Sequence, residues 1–563
     1  MNSETLPLRI GMDSPTIQRR RWYILAVLTM SLLVVVLDNT ILNVALKTIA
    51  DPAKGLGATQ SELEWSINSY TLVFAGLLFT FGVIGDRVGR KRVLVGGLAV
   101  FALASLLSAY AQSPDQLIYA RALMGLGGAA VMPQTLSIIT NVFEPHERGR
   151  AIGIWAGAVG LAVAIGPVTG GLLLAHFWWG SVFLINVPVI AVAIALSLVL
   201  IPESRNPDPG RLDPAGVVLS IIGLVVLSYG IIRGGETGDW LTLPVLGPIL
   251  AGLSVLALFV RHEARTDSPA FDVRLFRDPR MSAAVSSIAL CFFAASGVLF
   301  FANFYMQSVR GLTPMEAGAM VLPFAAAQLV FSPRSAGMVR RFGAKAVCTT
   351  GLLMVSGALA SYQFLGAGGP TWVLGAIFFV QGVGMAHVMP PATESVMSAL
   401  PREKAGAGSA INNVARQVAV AMGVAVLGSI VASVYRRDLA GELAALPAGA
   451  RETAAESIEG AHGVADGLGA SGATLVDAAD AAFVHAVHVA SAIAAVIAFL
   501  AAMVVLRWMP GRAAVAATGT AAEGTAAEGT EAGTETEAGT GARAPRPERA
   551  LAATAPDAGG RGE

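Results

Sequence analysis

Charge is scarce in this sequence. Only 13% of its 563 residues are Asp, Glu, Lys or Arg, about half the roughly 25% of a water-soluble domain, and that shortage argues against a soluble globular enzyme. The charges present also cancel, with 38 basic against 38 acidic residues, so no global basic field exists to hold nucleic acid. Cysteine is nearly absent. Cys291 and Cys348 both lie inside long apolar runs, where a thiol behaves as a small hydrophobe, and they imply neither a disulfide framework nor a metal cluster. Hydrolase signatures are missing too: there is no His-Glu-x-x-His zinc motif and no Gly-x-Ser-x-Gly elbow with plausible partners. The first 20 or so residues are polar, with no short apolar stretch ahead of a small-residue cleavage site, so no removable signal peptide is expected.

What the chain has in quantity is apolar sequence, 54% by composition with a mean hydropathy of +0.64. Runs of about 18 to 27 residues, long enough to cross a ~30 Å hydrocarbon layer at 1.5 Å per residue, begin near Trp22, Trp65, Val93, Leu117, Arg150 and Ser181. Two follow near Pro214 and Leu243, then six near Met281, Thr313, Ala346, Thr371, Gly408 and Ala482. An all-α integral membrane protein with fourteen spans, grouped six, two and six, is the expected fold. Arg19 to Arg21, Arg87 with Arg90 to Arg92, Arg148 and Arg150, Arg261 to Arg280, and Arg334 to Lys345 all fall on one face of that arrangement. The positive-inside rule makes that face cytoplasmic and puts both termini there.

Polar residues inside the runs are the candidate functional groups. Asp38, Asn39 and Asn43 fall within about 140° of arc on the first helix. An ionised carboxylate in a span must face a cavity or a partner. Asp38 reads either as a proton- or cation-binding group or as a hydrogen-bonded packing residue. Arg121, in the fourth run, falls at a similar depth in the outer half. Pairing would hold a proton off Asp38 and separation would let one bind, although a static ion pair would place the residues equally well. Glu394, near the inner end of the twelfth run, and Arg416, about 12 Å into the thirteenth, form a possible second pair by the same depth argument. Tyr70, Asn303, Gln307, Gln328, Gln381, Asn412 and Asn413 are polar enough to line a substrate cavity, or to hydrogen-bond between helices.

Two glycine-rich segments stand apart. Gly82-Val-Ile-Gly-Asp86-Arg87-Val-Gly89-Arg90-Lys-Arg joins the second and third runs, with glycines for a tight turn and Asp86 placed to cap a helix or accept a charged hydrogen bond. Gly166-Pro167-Val-Thr-Gly170-Gly171 lies in the fifth run, where small residues allow close packing and Pro167 removes a backbone donor.

In this order and spacing, the Leu-Asp38-x-Thr-x-x-Asn43-Val-Ala segment, the Gly-Asp-Arg-x-Gly-Arg loop, Arg121 to Gly125, and Gly-Pro-x-x-Gly-Gly resemble the major facilitator superfamily, and specifically its fourteen-helix drug:proton antiporters. Phe183-Leu-Ile-Asn186-Val-Pro188 and Pro390-Pro-Ala-Thr-Glu394-Ser look like the multidrug exporters within it. The resemblance implies a six-helix bundle over 21–202, a linker with two extra helices over 203–280, and a second bundle over 281–510 that includes an outer loop at 435–480. A cytoplasmic tail at 1–20 and a disordered Ala-Ala-Glu-Gly-Thr tail at 511–563 complete the chain. It further implies a monomeric transporter in a bacterial inner membrane that exports amphipathic or cationic drugs, or a single endogenous metabolite, in exchange for protons. Asp38 with Arg121 would then carry the coupling, and no cofactor or metal would be needed. Asn412-Asn413 stands where similar exporters carry a carboxylate, which counts against quaternary ammonium as the preferred substrate.

Overall fold

Helix formation here follows from composition: Ala-, Leu-, Val- and Gly-rich runs have no polar side chains to compete for the backbone, and a backbone group in lipid must find its partner within the helix. The computed structural model describes residues 15–50, 54–58, 60–206, 213–237, 240–266, 273–366, 368–401, 405–444, 446–468 and 472–509. Most of the 1–20 tail and all of the 511–563 tail lie outside these residues. Among the described residues, fourteen helices are long and apolar enough to cross a membrane.

The first half holds α1 (Pro15–Ala50), α2 (Gln60–Val88), α3 (Arg90–Ala109), α4 (Pro114–Val142), α5 (Pro145–His176) and α6 (Ser181–Leu200). Next come α7 (Pro214–Thr237) and α8 (Leu243–Glu263). The second half begins with α9 (Pro279–Val309), whose last turn is a π-helix, and α10 (Pro314–Met320, continued as Leu322–Phe342). It continues with α11 (Ala344–Ala360), α12 (Thr371–Ser398) and α13 (Ala405–Leu443). Two short helices, α14 (Ala448–Glu456) and α15 (Ile458–Gly467), precede the last span, α16 (Gly472–Trp508). Helix starts carry their own signals. Ser113 Oγ accepts from the Gln116 amide, Thr313 and Glu316 form a capping box, and proline occupies the first turn of α4, α5, α8 and α9.

Each half has its own apolar core, and the two cores interlock at the basic face. Phe79 and Val83 of α2 pack into the second core, while Met389, Met397 and Ala405 pack into the first. The halves also repeat a corner. Gly89, at φ 127°, is the single residue between α2 and α3, and Gly343, at φ 85°, is the single residue between α10 and α11. Both torsions favour glycine, so the same sharp turn recurs at equivalent places. α7 packs against α2 and α13, and the Trp240 indole donates to Ser429 of α13.

The expected outer loop at 435–480 is largely helical. α13 runs on to Leu443, and Ile458, Ala461, Leu475, Ala479 and Phe483 bury a common apolar seam with Tyr435 and Leu439. Its alanine content reads as linker composition but also gives high helix propensity.

The longest contact between halves is the seam of α5 and α10, where small residues let two backbones approach. A Cβ added at Gly153 would sit 2.4 Å from the Ser332 carbonyl oxygen, and one at Gly160 would sit 2.7 Å from Gln328 Cβ. Gly153→Leu is therefore expected to destabilise the detergent-purified protein by about 1–3 kcal/mol through overpacking. Gly171→Ala, where an added Cβ meets nothing within 4 Å, should leave the melting temperature unchanged. Equal melting temperatures for both variants would refute this seam.

Candidate functional site

Asp38 is 1% exposed and Arg121 is fully buried, and Arg121 Nη1 donates to Asp38 Oδ2. Neither group could be left alone at this depth, because an uncompensated buried charge is among the most costly features a fold can carry. The rest of the guanidinium is also used. Nη2 donates to Asn39 Oδ1 at 3.2 Å and Nε to the Ser66 carbonyl at 3.2 Å. Its plane lies over the Tyr70 ring with the central carbon 4.5 Å from the centroid. On the other side of the carboxylate, Asn186 Nδ2 donates to Asp38 Oδ1 at 2.9 Å. Asp38 therefore has a partner on each oxygen, supplied by α4 and α6.

Asn186 and Ser66 are the members of this cluster that reading residue by residue passes over. The available signal for Asn186 is its position as the first polar residue of an otherwise apolar stretch, Asn-Val-Pro-Val-Ile-Ala-Val-Ala-Ile-Ala-Leu. Ser66 contributes only its carbonyl, which no side-chain pattern reveals.

The proposed second pair is not formed. Glu394 Oε1 lies 3.9 Å from Arg148 Nη1 of α5, joining the halves at the basic face. Arg416 instead donates to Asn413 Oδ1 at 3.2 Å and to Met132 Sδ at 3.1 Å. Similar depth did not bring these two residues together, because α12 presents Glu394 to the start of α5 while α13 presents Arg416 to α4.

The Gly82–Arg90 segment builds a second basic-face junction. Asp86 accepts from Arg90 Nε at 2.9 Å and from the backbone amides of Gly406 at 2.9 Å and Ala407 at 3.2 Å. A carboxylate at these unsatisfied amides of the first turn of α13 is favoured by both hydrogen bonding and the helix dipole. Gly82 and Gly406 permit it: a Cβ on Gly82 would be 2.6 Å from the Gly406 oxygen, and one on Gly406 would be 2.3 Å from the Gly82 oxygen. Gly89 supplies the corner, and Arg87 lies half-buried at the end of α2. In α5, Gly166 packs on Thr40 and Gly170 on Ile41, so α5 lies directly against the Asp38 helix. Pro167 packs beside Gly318 of α10, and Gly171 faces open space.

The remaining cavity candidates divide. Tyr70 and Asn39 belong to the Asp38 cluster, whereas the Asn43 side chain lies outside the described residues. Gln328 is wedged in the α5–α10 seam and accepts from Ser332 Oγ at 2.9 Å. Gln381 is fully buried in α12, with neither amide atom partnered among the described residues. Asn412 accepts from Thr393 at 3.1 Å, and Asn413 donates to the Ser409 carbonyl at 2.9 Å. Asn303 and Gln307 stand apart from the buried candidates. They bond to each other at 3.1 Å on the exposed outer end of α9, away from the buried cluster.

The profile of the Major Facilitator Superfamily matches residues 28–424. The chain belongs to the major facilitator superfamily. Among its relatives in the superfamily, the multidrug efflux pump LfrA of Mycolicibacterium smegmatis is 36% identical over 81% of this chain and 89% of its own length. The tetracenomycin C resistance and export protein of Streptomyces glaucescens is 34% identical over 74% of this chain and 76% of its own. The crystal structure of the human organic anion transporter MFSD10 superposes with a TM-score of 0.56 at 16% identity, covering 87% of this chain and all of that one; a likeness at that identity establishes the superfamily fold alone. This is thus a multi-pass membrane transporter of the superfamily.

Arg121→Met would leave Asp38 as an unpaired buried charge and is expected to cost about 3–5 kcal/mol of stability. Adding Asp38→Asn to that variant should recover most of the loss. A thermal melt of the two purified proteins checks this, and a double variant no more stable than the single one would refute the pairing as the cause.

Proposed function

We propose that this chain is a proton-coupled exporter that moves amphipathic small molecules out of a bacterial cytoplasm by alternating access. The observation that carries the reading is the sealed Asp38–Arg121 pair. It is a titratable group with no solvent of its own, held by a cation on a different helix, so a proton arriving on Asp38 cancels the attraction that holds α1 to α4. The names of the relatives support export, since they are resistance and efflux proteins.

The basic face is taken as cytoplasmic from its arginines, and an even number of spans returns both chain ends to it. In the cycle, Asp38 accepts a proton from the outer side, Arg121 falls back on Asn39, Ser66 and Tyr70, and the carrier returns to the inward-facing state. Substrate binding and proton loss then depend on one charged environment, so each lowers the affinity for the other. The junctions Asp86 with α13 and Arg148 with Glu394 close the basic face while the site faces outward. The Streptomyces relative, named for a single compound, favours a second reading in which the cargo is one endogenous metabolite.

Proteoliposomes loaded with a panel of cationic and anionic dyes, ethidium and fluorescein among them, and given an imposed pH gradient test the coupling. The wild type should drive efflux and Asp38→Asn should abolish its gradient dependence. Unaltered gradient-driven transport in Asp38→Asn would overturn this mechanism.

A further inference from the structure

Among the described residues, three buried ion pairs of the two six-helix bundles stand beside one buried cation with no carboxylate contact. Asp38 has Arg121, Asp86 has Arg90, and Arg148 has Glu394. Arg416 is 7% exposed, and none of its contacts among the described residues is a carboxylate. Eleven residues past Ala405, it lies roughly 16 Å into α13, near the middle of the bilayer. A lone guanidinium at that depth is retained only where something answers its charge. Its protein contacts do not: they are an amide oxygen, the Met132 thioether and the Phe292 ring, 5.7 Å from the guanidinium carbon.

A donor on each of two side chains is left open here. Arg416 Nε has no acceptor among the described residues, and neither has Asn412 Nδ2. These residues are four apart on α13 and so share a face. The surroundings come from both halves, with Met132 on α4, Phe292 on α9 and Arg416 on α13, so the site opens or closes as the halves move. Open donors beside an unmatched cation call for a ligand that only accepts, and the thioether and ring beside them suit a flat apolar body.

We propose that Arg416 and Asn412 recognise the acidic group of the transported molecule, and that the cargo class is aromatic amphiphiles bearing a carboxylate or phenolate, with Met132 and Phe292 against the ring system. This rests on the export reading above and narrows it. A quaternary ammonium cargo would meet the opposite electrostatics. Both oxygens of Asp38 are occupied by Arg121 and Asn186, which leaves no free carboxylate there to receive a cation.

Equilibrium binding to the detergent-purified full chain, with no gradient, tests the proposal separately from coupling. Fluorescein, which carries a carboxylate and a phenol, and ethidium, a flat cation, are titrated and followed by anisotropy. The wild type should bind fluorescein more tightly than ethidium. Arg416→Gln should weaken fluorescein at least tenfold and leave ethidium unchanged or improved, while Arg416→Lys should retain a substantial part of the fluorescein affinity. Asn412→Ala, which keeps the buried cation, should weaken fluorescein a few-fold and serves where Arg416→Gln folds poorly. The ratio of the two affinities is the readout, since a purely structural loss would lower both together. Preference for ethidium in the wild type, or an unchanged ratio in both Arg416→Gln and Asn412→Ala, would overturn the proposal. Loss of gradient-driven efflux with the binding preference intact would overturn the coupling reading alone.

Discussion

A charge has no solvent in the middle of a bilayer, and this chain is organised around that constraint. Every ionised group that enters the spans must be answered by another group from the protein or by a ligand. The answer for Asp38 comes from two other helices, Arg121 on α4 and Asn186 on α6. One carboxylate thus ties three helices of the first half together. Small residues do the rest of the binding, because apolar side chains gain little by leaving lipid for protein, and close backbone approach is what remains.

The two halves repeat one plan but are fastened by different chemistry. The glycine corners Gly89 and Gly343 are equivalent, and three residues before each stand Asp86 and Arg340. In the first half, the carboxylate reaches the opening amides of α13. In the second, an arginine at the matching place cannot accept from amides, and the corresponding junction is made by Arg148 with Glu394. The first fastening joins a carboxylate to two backbone donors of fixed geometry. The second is an ion pair between side chains at 3.9 Å, looser and partly exposed, and the weaker of the two.

Much of this was legible in the sequence. Fourteen spans followed from apolar run lengths, and Asp38 opposite Arg121 followed from depth along antiparallel helices, since a buried charge restricts its own partners. Depth failed for Glu394 and Arg416 because it fixes height in the membrane but not direction around the helix axis. Arg148 was hidden as one of many basic-face arginines, and nothing in its local pattern separates an ion-paired arginine from one that anchors to headgroups. Asn303 and Gln307 bond to each other at an exposed helix end, a place that composition alone does not distinguish from a buried one. The helices Ala448–Glu456 and Ile458–Gly467 were hidden by Ala and Gly, which read alike as linker and as close-packed helix.

Arg416 carries an electrical consequence. Among the described residues, Asp38, Arg121 and Arg416 sum to one positive charge in the middle of the spans. Any movement of that charge through the membrane field is worked on by the voltage, about 2.3 kcal/mol per elementary charge for a full 100 mV traverse. On the proposed export reading, an anionic cargo would cancel it and make the loaded carrier electrically quiet, while an empty, proton-bearing carrier would cross with the field of an inside-negative cell. On that reading, membrane potential, and not the pH difference alone, would reset the transporter after each release.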